Sequence, residues 1–161
     1  TSMYIYIFIF FLVFNVTLSF TFSEEIQEDF LEQIKAQYKI EKNGIYEPLT
    51  DTAGNSVLGR AIVSGRKANC LACHTAPIPE EKFHGNFGPD LSGIGSRRTK
   101  AEIRLQLVIP RYFNPDSIMP SYFRIKGLRR VDPVYKGKTI LSAQDIEDVV
   151  SYLATLKDSK N

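Results

Sequence analysis

Hydrophobic residues in this chain form one unbroken run, then fall into helical repeats. Tyr4 to Phe14 is apolar throughout, Asn15 to Phe22 alternates apolar with small polar residues, and acidic residues begin at Glu24. Beyond that point Ile26, Phe30, Ile34 and Tyr38 recur every fourth residue, with Glu and Lys on the other faces. That spacing predicts an amphipathic helix over 24–39, with Ser23 as its cap and Asn43-Gly44 as its end. Residues 45–55, with Pro48, Asp51 and Gly54-Asn55, read as a loop. A second helix is expected over 56–64. Gly59 in its interior costs ~1 kcal/mol against Ala, which points to close approach by another helix. Residues 65–69 then lead into the segment Cys70-Leu71-Ala72-Cys73-His74.

The long stretch 75–98 carries Pro77, Pro79, Gly85, Gly88, Pro89, Gly93 and Gly95. A loop of that length in a compact domain usually covers or serves something. Thr99 and Glu102 form a capping box for a third helix, whose apolar side is Ile103, Leu107 and Val108 and which Pro110 ends. Residues 111–141 read as irregular. A fourth helix is expected over 142–156, where Ile146, Val149, Val150 and Leu153 follow the i, i+3, i+4, i+7 pattern. The predicted class is all-α.

The apolar start changes the domain picture. Residues 1–23 have the shape of a cleavable secretory signal peptide, with Thr21-Phe22-Ser23 at the cleavage site. No Lys or Arg precedes Lys35, and the chain opens Thr1-Ser2-Met3, so the true start residue stays open. An uncleaved anchor is the other reading, since 4–22 nearly spans a bilayer. The expected organisation is a signal peptide at 1–23, a helical extension and linker at 24–55, and one domain at 56–161. The formal net charge of +2 over 161 residues says little about partners. The basic residues are not interleaved with stacking aromatics, so no nucleic acid is expected.

Cys70-x-x-Cys73-His74 is the C-x-x-C-H pattern of covalent c-type haem attachment. Two thiols must reach the two vinyl groups on one porphyrin edge. Residues three apart on a helical turn lie about 5–6 Å from each other, which suits that task. His74 follows directly as the proximal iron ligand. Both cysteines of the chain are used. A redox C-x-x-C would need a βαβ setting, and a zinc site would need four ligands; a plain disulfide is the remaining alternative. Bacterial haem attachment outside the cytoplasm agrees with an exported, periplasmic protein.

The distal ligand decides the chemistry. With Met3 inside the signal, Met119 is the one methionine of the mature chain, in a loop pinned by Pro120. A thioether there closes the site and raises the reduction potential. Core filler is the other role open to Met119. His84 is the rival ligand, although it lies in the loop that must first wrap the haem edge. Iron with both axial positions filled makes a poor catalyst alone and a sensible electron relay. Basic residues cluster at Arg97, Arg98, Lys100 and Arg104, and at Arg124, Lys126, Arg129 and Arg130. By position Arg97 or Arg98 is a candidate for haem propionates, and the others for steering an anionic partner, against the plainer reading of a solvated face.

The order of Gly59, C-x-x-C-H, Gly88-Pro89-Asp90-Leu91, the Met119 loop and a last helix carrying Tyr152 resembles class I cytochromes c. That resemblance implies that the Pro89 carbonyl accepts the Nδ1–H of His74, that Leu91 packs on the haem, and that the last helix crosses the one bearing Gly59. Asn69 to His74, Gly85 to Leu91, Ile118 to Tyr122 and Tyr135 to Val150 are also similar to the monohaem SoxX subunits of thiosulfate-oxidising SoxAX cytochromes. The narrower resemblance implies one covalent haem c and a SoxA-like cytochrome partner. It further implies a SoxYZ-like carrier whose cysteine receives thiosulfate, and a small cytochrome c as electron acceptor.

Overall fold

The computed structural model describes residues 37–128 and 130–158. The chain divides into two units, Thr1–Lys39 and Ile40–Asn161. The signal or anchor segment and nearly all of the expected 24–39 helix lie outside the described residues. Among those described, no helix is long and apolar enough to cross a membrane.

The second unit begins with a hairpin of two short strands, β1 (Ile40–Glu41) and β2 (Gly44–Ile45), paired antiparallel with Ile40 opposite Ile45. Lys42 and Asn43 between them both have positive φ, 44° and 63°. Two such residues make the turn whose twist suits a two-residue hairpin loop. Asn43-Gly44 therefore turns a hairpin and is not the end of the preceding helix; the chain already leaves helical geometry at Lys39, φ 45°. The stretch after β2, read as loop and linker, is tied into the domain. Ile45 is buried. The Leu49 amide donates to Glu147 and the Asn55 amide to Asp148.

Helix α1 (Ser56–Ser64) is capped by Asn55, whose side chain accepts from the Val57 and Leu58 amides. A four-residue helix, α2 (Ile94–Arg97), lies within the segment read as loop. Helix α3 (Lys100–Val108) starts at the Thr99–Glu102 capping box. Helix α4 (Ala143–Thr155) starts at a second box, Ser142 with Asp145. Helices α1 and α4 pack most extensively of all element pairs. Their crossing is close because a Cβ at Gly59 would overlap the Asp148 carbonyl; only glycine lets the backbones meet there. Val63, Ile103, Leu107, Tyr122, Leu141, Ile146, Val149, Val150 and Leu153 form one buried core with Leu71 of the C-x-x-C-H segment. The site is thus anchored directly in the core.

Arg104 corrects the surface reading of the first basic cluster. It is buried on α3, and its Nε and Nη2 each donate to a Glu147 carboxylate oxygen at 2.7 Å, while Nη1 donates to the Ile45 carbonyl. Two helices and the hairpin strand meet around this one side chain, which leaves it no solvent face.

Candidate functional site

Asn69, with φ 52°, turns the chain into a short 3-10 turn, Cys70–Ala72. The Cys73 and His74 amides both donate to the Cys70 carbonyl, at 3.1 and 2.9 Å. This compact turn carries both thiols, which are free. Cys70 is partly covered, and burial pushes its thiol above the ordinary range. The loop 75–98 folds back along the turn: Gly85 N–H donates to Leu71, Gly88 N–H to Cys73 and Leu91 N–H to Thr75.

His74 is fixed by that return. Its Nδ1–H donates to the Pro89 carbonyl at 2.7 Å. A carbonyl can only accept, so the ring proton sits on Nδ1 and the Nε2 lone pair is left for a metal. Gly88 lies against the imidazole so closely that a Cβ there would run into the ring. Leu91 packs on the edge of the core. His84 is held differently. Its Nδ1 accepts the Ala76 amide at 3.4 Å, which puts the ring proton on Nε2, a buried nitrogen without a protein partner. In that tautomer His84 offers no lone pair to iron.

Met119 is partly buried against the core. Gln106 on α3 donates from Nε2 to its Sδ at 3.6 Å. The Met119 loop is secured three residues on. The Tyr122 amide donates to Leu107 and its carbonyl accepts from Leu141. Its hydroxyl donates to the Ala68 carbonyl at 2.9 Å. Gln106 was not singled out from the sequence, its only signal being its place beside the apolar face of a helix; Tyr122 ended one of the segments of the resemblance but was given no role.

The two candidate propionate arginines already have partners. Arg97 donates to the Ser92 and Asp90 carbonyls at 2.7 and 2.9 Å, bracing the loop after Pro89. Arg98 pairs with Glu102 at 3.1 Å and lies over the Phe113 ring. Of the second cluster, Lys126 and Arg130 are exposed and Arg129 lies outside the described residues. A cleft of about 630 Å³ between the 46–54 segment, α3 and α4 is remote from the C-x-x-C-H turn in sequence and lined by different residues.

These donors suit a haem held by two thioethers. Two free thiols share one turn, an imidazole presents a fixed Nε2, and a soft thioether stands in a pinned loop. Comparison with known proteins agrees. A cytochrome c family model matches residues 56–157. Cytochrome c-550 of Bacillus subtilis (strain 168) is 34% identical over 55 residues, which is 34% of this chain and 42% of that protein, less than half its length. A chain in the crystal structure of SoxXA from P. pantotrophus is 32% identical with a TM-score of 0.67, the match covering 73% of this chain and 93% of that one. Covalently bound haem c comes with this family. The chain belongs to the cytochrome c family and is of the monohaem SoxX type.

Proposed function

We propose that Cys70 and Cys73 hold the haem as thioethers, that His74 Nε2 and Met119 Sδ are its axial ligands, and that the chain relays electrons within a thiosulfate-oxidising complex. The observation that carries the ligand assignment is the 2.7 Å bond from His74 Nδ1 to the Pro89 carbonyl, which directs the other ring nitrogen to the metal. Bound there, the haem supplies a one-electron couple. Histidine and thioether together leave no position for substrate, so bond making belongs to another chain. The protein's own part is to fix the imidazole through Pro89, to orient the Met119 sulfur through Gln106, and to keep both in a preformed shell.

The likeness to the SoxXA chain supports a SoxA-like cytochrome as partner. In this reading the partner holds the site where thiosulfate is joined to a cysteine of a SoxYZ-like carrier. The electrons released leave through this chain to a small cytochrome c. The complex is periplasmic, with residues 1–23 removed on export. Purifying the tagged mature protein from cells grown on thiosulfate, followed by haem staining of a denaturing gel, tests the complex. A second haem-bearing chain in equal amount is expected. A lone haem band at low and at high salt would overturn the complex and leave a solitary carrier. The ligands are tested separately: the oxidised protein should show a sulfur-to-iron charge-transfer band that Met119→Ala removes.

A further inference from the structure

We propose that Tyr122 is the positioning residue that clasps the distal-ligand loop to the haem-attachment turn. The inference rests on the Met119 ligation above and adds what keeps that ligand in place. Met119 lies in a stretch without regular secondary structure, between the 3-10 turn Pro110–Tyr112 and the 3-10 turn Pro133–Tyr135. Such a stretch has few local bonds to hold a side chain against a metal. Tyr122 is where the loop is nailed down. It is 4% exposed. Its amide ties it to Leu107 on α3 and its carbonyl to Leu141 just before α4. Its hydroxyl crosses to the Ala68 carbonyl, two residues before Cys70, at 2.9 Å. Ala68 is buried as well, so that carbonyl has no water to turn to. The Cys70 sulfur also neighbours the hydroxyl.

The clasp joins the two halves of the site by a route that bypasses iron. The attachment turn supplies His74, the loop supplies Met119, and Tyr122 binds one to the other through protein alone. Pro120 stiffens the short arm between Met119 and Tyr122, because its ring fixes φ. A loop so tethered returns the sulfur to the metal after each excursion. Without the tether, a competing ligand meets a weaker rival.

Tyr122→Phe keeps the ring in the core and removes only the hydroxyl. The test is made on the haem-loaded full-length protein with imidazole as the probe. The variant should bind imidazole in the oxidised state about tenfold more tightly than the unsubstituted protein, roughly the size of a lost buried hydrogen bond. The charge-transfer band should also disappear at lower imidazole concentration. Val150→Ala, which loosens the core from α4, is the control and should bind imidazole like the unsubstituted protein. If both variants gain affinity alike, general loosening is the cause and the clasp is overturned. Unchanged affinity in Tyr122→Phe, with the band present, overturns the clasp and leaves Met119 ligation standing. Absence of the band from the unsubstituted protein overturns the ligation, and the clasp with it.

Discussion

At the scale of the residue, the site depends on hydrogen bonds that orient a ligand atom. Gln106 is the clearest case. Its Nε2–H points at the Met119 sulfur, 3.6 Å away. With Met119 as the proposed iron ligand, a donor at that sulfur withdraws electron density and disfavours the oxidised metal, so it raises the potential. Gln106→Leu should lower the midpoint potential by up to about 40 mV, taking a net hydrogen bond of ~1 kcal/mol and 59 mV per tenfold for one electron. Redox titration of the two proteins checks it; equal potentials would remove Gln106 from the tuning of the site. The turn that brings Cys70, Cys73 and His74 together was legible in the sequence because their spacing is local. Arg104 was not. One basic residue among basic neighbours reads as surface, and only the approach of Glu147 and Ile45 makes it a buried ion pair.

At the scale of the element, helices α3 and α4 are locked by that pair. Arg104 and Glu147 side chains are 5% and 6% exposed. Glu147 also accepts the Leu49 amide, so three segments converge on one carboxylate. Removing one partner strands the other charge in the core, at a cost of about 3–5 kcal/mol. Glu147→Gln should shift the urea midpoint down accordingly, while Arg98→Gln, on an exposed pair, should move it little. The main helices were readable from caps and periodicity: α3 and α4 start where Thr99-x-x-Glu102 and Ser142 say they should. The hairpin at 40–45 was missed, since strands of two residues carry no alternation. Helix α2 was missed because a single turn leaves no period to detect.

At the scale of the whole molecule, several carboxylates are held below their ordinary range by partners made on folding. The Ser92 amide and the Thr75 hydroxyl lower Asp90. The Thr99 amide lowers Glu102. Burial works against Asp145, but Lys67 and the Ser142 amide outweigh it. Each folded pKa lies below the unfolded one, so their contribution is fully present above the unfolded range and is lost as pH falls through the folded values. The thermal midpoint should stay flat from pH 7 to about 5 and drop below about 4. Lys67→Met should lessen the drop, and a midpoint independent of pH down to 3 would contradict the account.

The all-α class, the family and the haem were legible because one motif and the helical periods agree. The place of residues 40–55 was not, because their bonds reach Arg104, Glu147 and Asp148, far along the chain. That reach bears on the order in which the exported chain closes. The first long helix of the domain, α1, has α4 as its main partner, and the Gly59 crossing has nothing to close against until Asp148 and Tyr152 exist. Contacts so distant in sequence form late and slowly. A chain threaded N-terminus first through an export channel, as proposed above, therefore delivers nearly the whole domain before its two mutual partners can meet. The C-x-x-C-H turn emerges well before its core can shut, leaving an interval in which both thiols are open to the machinery that attaches haem.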